Sequence, residues 1–113
     1  MTPGTQTKPL VYIAGPYTNP DPVENIHRAI KIADGLLDVC SPLIPHLSGT
    51  WHMVSPKPYE DWLALDLEYM RRCDCVYRFP GASSGADKEV EKAVEWGIPV
   101  VFSEDDLRKW IAA

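Results

Sequence analysis

The sequence lacks the features that mark several large classes of protein. It contains no run or stripe of basic residues, and its 113 residues carry a net charge of −5, which argues against a nucleic-acid polymer as partner. Neither a signal peptide nor an apolar run long enough to span a bilayer is present, so we expect a cytoplasmic protein with no membrane partner. Small anionic ligands stay open, because one or two local arginines can outweigh a global excess of acid.

Motifs for common cofactors and nucleophiles are also missing. The glycine of GPYT, residues 15–18, begins neither a G-x-G-x-x-G pattern nor a P-loop, which would need a lysine. No G-x-S-x-G elbow favours acyl transfer. His46 and His52 have no third ligand at a suitable spacing, so we expect neither a metal nor another cofactor. The three cysteines, which fit no zinc or thioredoxin spacing, predict reduced and buried thiols: Cys40, Cys73 and Cys75.

Short apolar runs alternate with helical patterns in the rest of the chain. The predicted strands are LVYIAG, VCSPLIPHL, CVYRF and IPVVF, at residues 10–15, 39–47, 75–79 and 98–102. The predicted helices span residues 21–39, 58–72, 84–96 and 104–112. Such alternation implies parallel βαβ units with right-handed crossovers. We predict one α/β domain over 9–113, after a disordered terminus at 1–8. It should be a small three-layer sandwich, flavodoxin- or Rossmann-like, with about four parallel strands in the order 2-1-3-4.

Ligands of open parallel sheets bind beyond the carboxyl ends of the strands, near the switch in strand order. The segments that follow the first three strands supply the candidate binding residues Gly15, Pro16, Tyr17, His46, Trp51, Arg78, Ser83, Ser84 and Gly85. The aromatic residues of the second segment fit either stacking on a nucleobase or a subunit contact. Arg78 would meet a phosphate or pair with a carboxylate such as Asp66.

One predicted helix carries a carboxylate inside its apolar stripe. At about 100° per residue, the stripe of PYEDWLALDLEYMRRCD, residues 58–74, gathers Tyr59, Trp62, Leu63, Tyr69, Met70 and Cys73. Asp66 falls near its middle. Burying an unpaired carboxylate costs on the order of several kcal/mol. The group should therefore be paired, hydrogen-bonded or held for a task.

A second carboxylate, Glu89, lies in the early turns of the helix that follows SSG. The start of this helix fits an ordinary N-cap by Ser83 or Ser84, and it also fits an anion site. Glu89 is expected on the flank of the buried stripe, where the helix dipole favours its ionised form. A nucleophile needs that form, although a glutamate that merely favours the helix start would look the same. In the first strand, alternation sends Tyr12 to one face and Val11 and Ile13 to the other.

Three stretches together resemble one enzyme family. VYIAGPYT, DLEYMRRCD and SSGADKEVEKAVEWGIPV are similar to the nucleoside 2-deoxyribosyltransferases, including the related 2′-deoxynucleoside 5′-phosphate N-hydrolases. The resemblance runs from Leu10 to Phe102. Its most specific elements are a glutamate four positions after the loop glycine, Gly85, and an aspartate eight positions before Asp74. Loop 46–57 departs from the family pattern, so base choice does not carry over.

The resemblance implies a role for each matching residue. Glu89 would be the nucleophile on the sugar C1′, Asp66 would lie beside it, and Tyr12 would orient the glutamate. Ser83 would belong to a phosphate-contacting loop. Two carboxyl groups about 5–5.5 Å apart fit retaining chemistry.

The implied reaction is cleavage of the N-glycosidic bond of a (deoxy)nucleoside or its 5′-monophosphate. It would pass through a glutamyl-glycosyl intermediate, resolved by water or by a second base. The resemblance also implies a homodimer or a higher homo-oligomer, with which the aromatics Trp51, Trp62 and Trp110 are compatible. The alternative is a nucleotide-binding module of the same fold without turnover. A receiver domain would want acidic residues where this chain has GPYT and RFPG.

Overall fold

A four-stranded parallel sheet forms the centre of the protein. The computed structural model describes residues 7–113, so most of the terminus predicted to be disordered, 1–8, lies outside the described residues. The strands are β1 (Leu10–Ala14), β2 (Ser41–Leu43), β3 (Cys75–Arg78) and β4 (Val100–Val101). They pair in parallel in the order β2-β1-β3-β4. The predicted fold class and strand order are confirmed.

Five helices surround the sheet: α1 (Pro22–Asp34), α2 (Ser48–Val54), α3 (Tyr59–Arg71), α4 (Ser84–Glu95) and α5 (Glu104–Ala112). Asp21, Ser83 and Ser103 begin three of them, each by accepting a backbone N–H at the side chain. α1 ends earlier than predicted, because the chain turns at Gly35, a residue that disfavours helix continuation.

The alternation of β1 divides the core into two layers. Val11 and Ile13 pack in the cluster formed with α1 and α5, whereas Tyr12 and Ala14 pack in the cluster formed with α3 and α4. Helices thus cover both faces of the sheet, which gives the three layers predicted. The three cysteines are free and buried, as expected.

The largest departure from prediction follows β2. A strand was expected to reach residue 47, but β2 ends at Leu43 and the chain enters a 3-10 turn at Pro45–Leu47 and then α2. Proline removes a backbone donor, so it stops the strand, but it suits the first turn of a helix. Within residues 7–113, no helix is long and apolar enough to cross a membrane.

Candidate active site

A cavity of about 510 Å³ opens beyond the carboxyl ends of β1 and β3. This is the size of a small-molecule site, at the place where the strand order switches. Its walls come from residues 15–19, from the 45–57 segment, from α3 and from the start of α4. Segments distant in sequence therefore meet around one open cavity.

Glu89 lies deep in one wall of this cavity. It is 7% exposed, and the buried face of α4 consists of Ala86, Glu89 and Ala93. The prediction that Glu89 sits on the flank of the stripe is therefore wrong. The hydroxyl of Tyr12 donates a hydrogen bond to Oε2 of Glu89. This contact ties the first strand to α4.

Burial sets the charge state of Glu89. Desolvation raises its pKa to about 7, against the lowering effects of the Tyr12 hydrogen bond and of the Arg78 charge. A glutamate held fully ionised by the helix dipole was expected. The loss of solvent raises the pKa of Glu89 by more than the helix dipole lowers it, so the carboxyl titrates near neutral pH.

Asp66 lines the same cavity from α3. It is half-buried, and its Oδ1 has no hydrogen-bond partner among the described residues. Burial and the charge of Glu89 raise its pKa to about 7, the direction expected from sequence. Interacting carboxyls of this kind share protons as a pair. Near neutral pH the pair therefore offers one carboxylate and one carboxylic acid.

The start of α4 contributes backbone and hydroxyl groups to the cavity. Ser83 Oγ accepts a hydrogen bond from Ala86 N at 3.1 Å, so Ser83 is the N-cap. Ser84 and Gly85 follow it along the cavity wall. A Cβ on Gly85 would lie 3.0 Å from the Tyr59 hydroxyl, so a side chain there would press on α3. The Tyr59 side chain would have to shift by a few tenths of an ångström to accommodate it.

The loop after β1 forms the opposite wall. A Cβ on Gly15 would lie 2.1 Å from the Phe79 ring, which explains glycine at that position. His46 Nε2 donates to the Pro16 carbonyl at 2.9 Å, and burial lowers the pKa of His46, so the ring is neutral. Its ring packs beside Tyr17, with centroids 6.0 Å apart. Gly15, Pro16, Tyr17 and His46, four of the candidate binding residues, all line the cavity.

Two predicted binding residues lie outside the cavity wall. Arg78 instead donates to the carbonyls of Phe79 and Gly81 and pairs with Asp87 at 3.2 Å. It therefore does not pair with Asp66, because those three acceptors already engage its guanidinium. Trp51 projects from α2, is 48% exposed, and packs edge-on against Trp62 with ring centroids 5.1 Å apart.

The lining residues that were not predicted as binding candidates include His52, Lys57 and Trp62. The Trp62 indole N–H donates to His52 Nδ1 at 2.8 Å, and the Lys57 backbone N–H donates to the same atom at 3.2 Å. Trp62 stands four residues before Asp66, and that helical spacing was a usable signal. Lys57, in contrast, is a single lysine in the connection between α2 and α3, and no sequence pattern marks it as a binding residue.

The histidines near the cavity do not form part of a metal centre. Within residues 7–113, no three side chains of His, Cys, Asp or Glu are grouped to hold a metal ion. Their neighbours are aromatic rings and backbone groups. The arrangement supports acid–base and nucleophilic chemistry by the paired carboxyls.

Solved structures of two deoxyribosyltransferases share this fold. A 2-deoxyribosyltransferase from Leishmania mexicana superposes with a TM-score of 0.59 at 21% identity, over 83% of this chain and 63% of that one. A 2-deoxyribosyltransferase from Bacillus psychrosaccharolyticus superposes with a TM-score of 0.58 at 18% identity, over 82% of this chain and 70% of that one. The chain thus spans less than two thirds of the length of the first of them.

Sequence comparison gives the family. No protein with a curated description matches the sequence. A family model described as a domain of unknown function, DUF7768, matches residues 9–103. That match takes in all four strands and every residue of the paired-carboxyl site. The chain belongs to the DUF7768 family.

Proposed function

We propose that this protein cleaves the N-glycosidic bond of a (deoxy)nucleoside or nucleoside 5′-monophosphate. The observation that carries the proposal is the pairing of Glu89 and Asp66 in one cavity wall, with Tyr12 bonded to the glutamate. The fold shared with deoxyribosyltransferases supports it.

In the first step, Glu89 attacks the sugar C1′. Its Oε2 accepts the Tyr12 hydrogen bond, which leaves Oε1 for the attack. The new C1′–O bond forms a glycosyl ester as the C1′–N bond breaks. The electron pair of that bond goes to the base, and Asp66 in its acid form donates a proton to the leaving nitrogen.

In the second step, the ester is resolved. A water molecule or the N–H of a second base attacks C1′, and its proton passes to the Asp66 carboxylate. The C1′–O bond to Glu89 breaks, which restores the starting carboxylate and acid. The reaction is a hydrolysis with water and a transfer with a second base.

Tyr12 keeps the glutamate in position throughout. Burial and the nearby carboxylates raise the pKa of Tyr12 well above its usual value. The hydroxyl therefore stays protonated and remains a donor. It stabilises the carboxylate without competing for the reaction as a base.

The cavity walls suggest where each part of the substrate binds. Tyr17 and Trp62 supply aromatic surfaces for the base. A 5′-phosphate would meet the amides at the start of α4 and the Lys57 ammonium, which takes the place first assigned to Arg78. The exposed apolar residues Trp51, Met53 and Val54 of α2 support the proposal of a homo-oligomer.

The test is base release from common nucleosides and their 5′-monophosphates, followed by chromatography with and without a second base. Wild-type protein should release or exchange base. Glu89→Gln should lower the rate at least about 10³-fold. The matched control is Glu91→Gln, on the exposed side of the same helix, which should retain the wild-type rate. Nucleotide binding by calorimetry without base release from any substrate would instead identify a binding module.

A further inference from the structure

Arg78 is the buried cation behind the cavity wall. It ends β3, is 8% exposed, and directs its guanidinium to backbone carbonyls of the loop that leads to α4. The Gly81 carbonyl accepts from it at 2.7 Å. Because residues 82–86 line the cavity, this clamp fixes the start of that wall.

The charge of Arg78 is only partly compensated. Its one carboxylate partner is Asp87, at 3.2 Å, whose side chain is 68% exposed and therefore screened by solvent. The other acceptors are neutral carbonyls. A buried positive charge with one weak partner acts on its surroundings more strongly than a surface ion pair does.

Glu89 and Arg78 lie on the same side of the sheet. Arg78 pairs in register with Ala14, Ala14 shares a core cluster with Tyr12, and Tyr12 bonds to Glu89. Arg78 lowers the pKa of Glu89, in opposition to burial. Tyr12, on β1, donates a hydrogen bond to Glu89. Further titratable or charged groups line the cavity from α3 and from the 45–57 segment, namely Asp66, Tyr59, His46, His52 and Lys57. The charge of Glu89 in turn raises the pKa of Asp66.

We propose that Arg78 is a positioning residue: its buried charge favours the ionised form of Glu89, and its clamp keeps the start of α4 in place. It does so without touching the substrate. The inference rests on the proposed function and adds to it. A purely structural arginine would support the loop but would leave the pH dependence of the nucleophile unchanged.

The experiment compares Arg78→Gln, Arg78→Lys and, as matched control, the exposed Arg72→Gln. Base release is measured from pH 5 to pH 9. In Arg78→Gln the rate at pH 6, relative to that at pH 8, should fall on the order of tenfold below wild type. Arg78→Lys should restore the wild-type pH profile at a lower rate, because lysine keeps the positive charge but lacks the planar guanidinium that bonds to several acceptors at once. Equal loss in both variants with an unchanged profile overturns the proposal.

A second measurement separates this inference from the proposed function. The carboxyl carbon of Glu89 is titrated by ¹³C NMR in the free protein, with Glu89→Gln assigning the signal. The midpoint should lie at higher pH in Arg78→Gln than in wild type. An unchanged midpoint overturns the inference even if base is released, whereas a wild type without base release sinks only the proposed function. If Arg78→Gln does not fold, Asp87→Asn should move the midpoint to lower pH, and no movement overturns the inference.

Discussion

The two walls of the cavity are built in different ways. The carboxylate wall consists of Asp66 on α3 and Glu89 on α4. Behind it, Tyr12 of β1 bonds to Glu89, and Arg78 clamps the loop that leads to α4. The 45–58 wall is a 3-10 turn, the short helix α2 and a connection. α2 has no side-chain cap at its start, and its Met53 and Val54 are each 82% exposed.

From this difference we expect the carboxylate wall to carry the proposed reaction and the 45–58 wall to select the substrate. Reacting groups need positions held by regular elements and packed neighbours, which the carboxylate wall provides. The 45–58 wall has fewer restraints and contributes imidazole and cationic groups. We therefore expect substitutions in the first wall to change turnover for every substrate. Substitutions in the second should change affinity for particular ones.

The sharpest test of that division is Asp66→Asn, with the largest expected effect. Asparagine keeps the shape but cannot donate the proton that the leaving base needs, so kcat should fall about 10²–10⁴-fold. Steady-state kinetics on several nucleosides measure it. Asp61→Asn, exposed on the same helix, is the control. A change confined to KM would show that Asp66 acts in substrate binding, and it would contradict the division between the two walls.

The carboxylate wall was also the part that sequence could anticipate. Alternation in β1 put Tyr12 on the face opposite to Val11 and Ile13, as the two core clusters confirm, and helical spacing placed Asp66 among apolar residues. Both signals depend on regular periodicity, which side chains on strands and helices obey. The flank assigned to Glu89 was wrong, because a helical wheel does not tell which edge of α4 meets the sheet.

The 45–58 wall escaped prediction for a physical reason. Prolines at 42, 45, 56 and 58 interrupt the periodicity of apolar residues. The sequence therefore predicts a loop where the structure forms α2. The direction of the Trp51 side chain and the position of Lys57 at the cavity both depend on that helix, so neither could be predicted. The prediction for Arg78 failed for another reason. A side chain at the end of a strand can point to a ligand or to its own loop, and the carbonyls of Phe79 and Gly81 hold Arg78 at the loop.

The second prediction concerns the stability cost of the carboxylate wall. The pKa of Glu89 is raised to about 7 in the folded protein from 4.5, so folding favours its protonated form. This contribution is complete below about pH 4.5 and is lost as the pH rises through about 7. Glu89→Gln should therefore unfold at higher urea than wild type at pH 8, by about 2 kcal/mol. The difference should vanish near pH 4, and Glu91→Gln should show none. A wild type as stable as the variant at pH 8 would mean that Glu89 is not desolvated.

The smallest effect is expected in the 45–58 wall, at Lys57. Lys57 lines the cavity, and its ammonium donates to Ser55 Oγ at 3.2 Å, so the charge is partly engaged. Lys57→Gln should raise KM for a nucleoside 5′-monophosphate about three- to tenfold, in keeping with one screened ion pair. It should leave kcat and the KM for the free nucleoside unchanged. Competition assays with both substrates measure this, with the exposed Lys88→Gln as control. Equal loss for nucleoside and monophosphate would show that Lys57 supports the wall and does not select the phosphate.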